Sequence, residues 1–95
     1  MRMKKTALYV LGFVLLAVQA MAADSLMMAT TTSTDDTGLL NALAPVFQKE
    51  TGIELKWTAT GTGKALKLGE NCDVDVLLVH APEVEKAFVD KGFGL

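Results

Sequence analysis

LMMATTTSTDDTGLL, residues 26–40, decides how this chain is read. Leu26-Met27-Met28-Ala29 is a short apolar run that fits a first strand. Five hydroxyl side chains then stand in a row: Thr30, Thr31, Thr32, Ser33 and Thr34. Asp35-Asp36-Thr37-Gly38 follows, and Leu39, Leu40, Leu43, Val46 and Phe47 continue at helical spacing. Asp36 is the expected N-cap of that helix. Thr51-Gly52 ends it with a C-cap glycine. Pro45 removes a backbone donor inside the segment, which predicts a kink or two shorter helical pieces.

Downstream the alternation of elements persists. Ile53-Glu54-Leu55-Lys56-Trp57-Thr58 alternates apolar and polar, as a strand with one wet face or at a sheet edge does. Thr60-Gly61-Thr62-Gly63 reads as a turn, and Lys64 to Gly69 as a short helix with Ala65, Leu66 and Leu68 inward. Asp73 to His80 carries a continuous apolar run and predicts a strand buried on both faces. Pro82 suits a first helical turn. Val84, Ala87, Phe88 and Val89 give the last helix its inner face, and Gly92 closes it.

The sum is an α/β fold of order β-α-β-α-β-α, which implies right-handed crossovers and a parallel sheet. The middle strand has the most edge-like pattern, which fits a strand order of 2-1-3. In such a sheet the ligand crevice lies beyond the C-terminal strand ends, at the switch point.

Upstream, Arg2, Lys4 and Lys5 precede a mostly apolar run of 12 residues, Ala7 to Val18, and Gln19-Ala20-Met21-Ala22-Ala23 offers small residues at cleavage spacing. Residues 1–22 therefore read as a secretory signal peptide cut after Ala22. The run is short against the roughly 20 residues of a spanning helix. Taking Arg2, Lys4 and Lys5 from the 9 basic residues leaves 6 against 11 acidic ones, a net charge of −5 for the mature part. That balance excludes a nucleic-acid partner, which needs a basic face. It still allows an anion bound locally by backbone dipoles. Cys72 is the one cysteine, so no internal disulfide can form. It reads as a small loop residue, and no Cys, His or Asp cluster supports a metal or other cofactor. A mature chain of this size buries only a small core.

Two hydroxyl-rich corners carry the chemistry. Thr30 to Thr34 follows the first strand and Thr60-Gly61-Thr62-Gly63 follows the second, so adjacent parallel strands bring both to one sheet edge. Each corner opens a helix whose first N–H groups lack intrahelical partners and stand at the positive dipole end. Rotatable hydroxyls add further donors, and Gly61 and Gly63 admit close approach. Donors without counter-charge suit a fully deprotonated oxyanion, and a hydrogen bond to an ionised group contributes roughly 1.5–3 kcal/mol. A carboxylate in the crevice would reject that guest, so Asp35 and Asp36 are expected to point away. Each corner alone reads as ordinary helix capping. TGTG fails the phosphate-loop pattern at Thr58 and Ala65 and the dinucleotide pattern at Leu66.

Taken together, TTTSTDDTGLL, TGIELKWTATGTGKALKLGE, DVDVLLVHAPEVEKAFV and the closing Gly-Phe-Gly resemble the tungstate-binding extracytoplasmic component of ABC transporters, a branch of the type II periplasmic binding proteins related to molybdate binders. The likeness runs from about Met28 to Leu95. The resemblance implies a non-catalytic periplasmic carrier of tungstate, or of molybdate, that delivers its oxyanion to a membrane permease. It implies that Thr31, Thr32 and Ser33, with Gly61, Thr62 and Gly63, supply the donors. His80-Ala81-Pro82 matches the family's VHAP, with no ligand role assigned to His80. Asn71-Cys72-Asp73 departs from the family pattern, which has glycine just before the aspartate. The family has two lobes that close on the anion, so residues 23–95 are expected to be a truncated N-terminal lobe, to bind poorly alone, and to expose apolar faces. Two other readings compete. One is a secreted remnant without binding activity. The other is a phosphate-ester hydrolase with Ser33 or Cys72 as nucleophile and His80 as base, for which no third, orienting group is evident.

Overall fold

The computed structural model describes residues 24–95. The signal-peptide reading falls on residues 1–22, outside the described residues. The elements are β1 (Asp24–Thr31), α1 (Thr32–Asp35), α2 (Leu39–Thr51), β2 (Ile53–Thr60), α3 (Thr62–Glu70), β3 (Val76–Leu78) and α4 (Pro82–Asp90). The sheet has the order β2-β1-β3, with both pairings parallel. The alternating pattern and the 2-1-3 order read from the sequence are both present.

β2 pairs with β1 over its whole length, from Asp24 opposite Ile53 to Thr31 opposite Thr60. Its Ile53, Leu55, Trp57 and Ala59 are half-buried, while Glu54, Lys56 and Thr58 are exposed, the wet-faced alternation the sequence predicts. β1 becomes more buried along its length, ending in Ala29, Thr30 and Thr31. Among the described residues these three, with Leu40 and Ala65, are the buried ones. The core is small and lies under the C-terminal ends of the strands.

β3 is shorter and more open than its apolar run predicts. Only Val76, Leu77 and Leu78 pair with β1, and Leu78 is exposed. Side-chain bonds flank the ladder at both ends. The Met27 N–H donates to Asp75 Oδ2 at 2.9 Å, while the Asp75 N–H donates to the Met27 carbonyl at 2.8 Å. At the far end Thr30 Oγ1 donates to the Leu78 carbonyl at 2.8 Å. His80 therefore lies beyond the strand, in the connection to α4.

α2 runs unbroken through Pro45 rather than splitting into two pieces. Pro45 and Asn41 are both exposed, so the carbonyl deprived of its partner can meet water. Asp36 is not the N-cap of this helix. That position belongs to Gly38, in the left-handed region at φ 78°, and Asp36 instead closes the single turn of α1. Leu40 is buried and Phe47 half-buried, but Leu39, Leu43 and Val46 are exposed, as are Val84 and Val89 on α4. The expected inner face of α4 is therefore not formed: of Val84, Ala87, Phe88 and Val89 only Phe88 is half-buried, because no described element covers the others, in line with the apolar exposure expected of a partial lobe. Gly69 permits the close packing of α3, since a Cβ there would meet Leu77 Cδ1 at 2.7 Å.

Candidate functional site

The register fixes the geometry of the two corners. Thr31 is the last residue of β1 and stands opposite Thr60, the last residue of β2. Neighbouring strands lie roughly 4.8 Å apart. The chain thus leaves the sheet twice at one level, and α1 packs against β2 as well as β1. Ser33 and Thr62 emerge on the same edge of the sheet. Thr31, Thr32, Ser33, Gly61, Thr62 and Gly63 are brought together there, as the crossover topology predicts.

The first corner differs from the expected loop. Thr31 is its N-cap, with extended backbone, and Thr32 to Asp35 form one helical turn. The Thr34 N–H donates to Thr31 Oγ1 at 3.4 Å. Thr31 Oγ1 also lies 3.0 Å from Thr34 Oγ1 and 3.2 Å from Ser33 Oγ. Thr31 is buried, and Thr32 and Ser33 are exposed. A single turn carries little dipole, so this corner's donors are hydroxyls and individual amides rather than a long helix terminus.

The second corner is a full helix start. Gly61 alone links β2 to α3, and no side chain caps it. The first intrahelical bond of that corner runs from the Ala65 N–H to the Gly61 carbonyl at 2.9 Å. The amides of Thr62, Gly63 and Lys64 precede it and have no helical acceptor. A Cβ at Gly61 or Gly63 would meet nothing within 4 Å, so the space beside both glycines is open. Gly61 has an ordinary φ of −68°, so what it contributes is the missing side chain, not an unusual backbone. Lys64 is exposed at this corner and belongs to neither ion pair of the described residues.

Asp35 is occupied elsewhere. Its Oδ1 accepts the Trp57 Nε1–H at 2.8 Å, which ties the first corner to β2. The residue that sequence reasoning left without a role is His80. Its Nε2 lies 3.2 Å from Ser33 Oγ. β3 runs on the other side of β1 from β2, so a third strand end delivers this ring to the same edge. Only the strand order could have revealed it, because 47 residues separate Ser33 from His80. Cys72 sits before β3 and His80 after it, so they do not form a pair. Cys72 has φ 59°, a left-handed conformation that glycine adopts more readily, at the position where glycine was expected. A separate cavity of about 410 Å³, lined by Val76, Leu77, Phe88 and Phe93 among others, shares no residue with the corners. Among the described residues no three His, Cys, Asp or Glu side chains gather to hold a metal.

The family described as a PBP superfamily domain matches residues 17–95, and the chain belongs to it. Its relatives include proteins named for tungstate. Over 63 residues it is 62% identical to the tungstate-binding protein TupA of Campylobacter jejuni, aligning 66% of this chain with 23% of that protein. The solved tungstate-binding protein TupA of Desulfovibrio alaskensis superposes with a TM-score of 0.75 at 79% identity, over 76% of this chain and 29% of that one. The solved tungstate ABC transporter protein of Geobacter sulfurreducens gives 0.71 at 51% identity, over 75% of this chain and 31% of its own. The chain thus spans between 23% and 31% of the length of these relatives.

Proposed function

We propose that this chain is the anion-capturing N-terminal portion of an extracytoplasmic solute-binding protein. It takes up tungstate, or the closely similar molybdate, for delivery to an ABC-transporter permease. Residues 1–22 direct export and residues 23–95 build the half-site. Thr31, Thr32 and Ser33 contribute hydroxyl and amide donors from one side, and Gly61, Thr62 and Gly63 contribute amide and hydroxyl donors from the other. The observation that carries this reading is the pairing of Thr31 with Thr60, which sets an uncapped helix start beside a hydroxyl cluster. Tungstate-named relatives at 51–79% identity support the choice of anion.

The Ser33–His80 contact also fits a nucleophile and base. Ser33 shares its hydroxyl with Thr31, however, and both corners offer donors rather than a site for an attacking water. A carrier uses every one of these groups, whereas a hydrolase uses only two.

Both corners face water in this chain, so its own hold on the anion is weak. The test is therefore a graft. Residues 24–95 replace the matching segment of the Desulfovibrio alaskensis protein, and tungstate is titrated by calorimetry. Tight binding that Ser33→Ala and Thr62→Ala each weaken at least about ten-fold is the expected result, given the strength of a bond to an ionised acceptor. A folded graft that binds as well with both substitutions would refute the assignment.

A further inference from the structure

We infer that His80 is a positioning residue of the anion site, presenting an Nε2–H that turns the Ser33 hydroxyl toward the guest as a donor. This rests on the anion-binding reading given above and adds to it a residue from the third strand end.

A serine hydroxyl has one hydrogen and two lone pairs. Among the described residues Ser33 Oγ has two hydrogen-bond neighbours, Thr31 Oγ1 at 3.2 Å and His80 Nε2 at 3.2 Å. A fully deprotonated oxyanion can only accept. To bind it, Ser33 must give its hydrogen outward, and both protein neighbours must then donate to Ser33. Thr31 can do so, because Thr34 stands behind it at 3.0 Å to return a hydrogen to Thr31 Oγ1. The arrows run one way, from Thr34 to Thr31 to Ser33 to the anion. His80 completes the set only with a hydrogen on Nε2. In the opposite polarity Ser33 donates to a bare Nε2 and turns lone pairs toward the anion, which repels it. Occupancy therefore selects the protonated Nε2.

The ring is carried by a constrained connection. The Ala81 N–H donates to Glu85 Oε2 at 2.8 Å, and the Glu85 N–H donates back to the Ala81 carbonyl at 3.0 Å. Two residues before His80, the Leu78 carbonyl is held by Thr30 Oγ1. These bonds bring His80 to Ser33 without any help from a ligand. Its side chain is exposed at the rim, so replacing it removes a donor and little packing.

The experiment uses the full chain labelled with nitrogen-15 and sodium tungstate near neutral pH, followed by magnetic resonance, which reads weak binding. With tungstate in excess the Ser33 and Thr62 amides shift, and the His80 Nε2 resonance takes the position of a protonated nitrogen. His80→Leu weakens tungstate binding about ten-fold. His80→Gln, whose amide N–H₂ can reach a similar place, recovers most of that loss. The inference is overturned if the amides shift while Nε2 stays unprotonated, if His80→Leu binds as tightly as the unaltered chain, or if Gln performs no better than Leu. If excess tungstate moves no amide at either corner, the anion-binding reading itself falls and this inference with it. Because the nitrogen spectrum is taken on the unaltered chain, misfolding of a variant does not remove the test.

Discussion

The two corners face the same edge but meet solvent differently. The first is internally bonded: Thr31, Ser33 and Thr34 share hydrogen bonds, and Asp35 is tied to Trp57. The second is bare, since Gly61 offers no cap and nothing stands above Gly63. Polar groups usually need partners, and these corners meet that need in two ways. Hydroxyls can pair with one another when the site is free and rotate to a guest when it arrives. Amides cannot rotate, so they are kept at the surface where water serves them. One corner is adaptable and the other is preset.

The largest effect on stability is expected in the adaptable corner. Thr31→Val removes the N-cap and both hydroxyl contacts of a buried side chain, and should lower unfolding stability by about 1–2 kcal/mol in urea titration. The preset corner should respond with the opposite sign. Gly63→Ala adds a methyl that touches nothing and favours the helix, raising stability by roughly 0.5–1 kcal/mol. If the oxyanion seats against Gly63, the added methyl intrudes on it, so tungstate affinity in the graft should fall while the melting temperature rises. If Gly63→Ala left affinity untouched, the second corner would not be a contact surface. The smallest effect lies away from both corners. Cys72→Gly relieves a left-handed residue, which costs about 1–2 kcal/mol, but loosens the unfolded chain, for a net gain of about 0.5 kcal/mol. It should leave tungstate binding unchanged in calorimetry. A change there would mean that the corners are not separable from the rest of the sheet.

Much of this arrangement was legible in the residues. The alternation from Ile53 to Thr58 pointed to an edge strand and so to the 2-1-3 order, and that order put the two hydroxyl runs on one edge. Three things were not legible, each for a physical reason. The turn Thr32–Asp35 is built from residues with modest helix propensity, and it forms because Thr31 caps it. The apolar run around Val76 suggested a long strand, but pairing with β1 covers only Val76 to Leu78, with side-chain bonds from Asp75 and Thr30 at its two ends. His80 reaches Ser33 only through tertiary placement, which no local pattern encodes.

The indole of Trp57 has a consequence of its own. It is the sole tryptophan, and its N–H is fastened to the same single turn that bears Ser33. Tryptophan emission depends on the polarity and hydrogen bonding around the ring. Any reorientation of that turn, including one on the proposed capture of an oxyanion, therefore becomes a colour and intensity change in an unlabelled protein, an optical readout present in the chain itself.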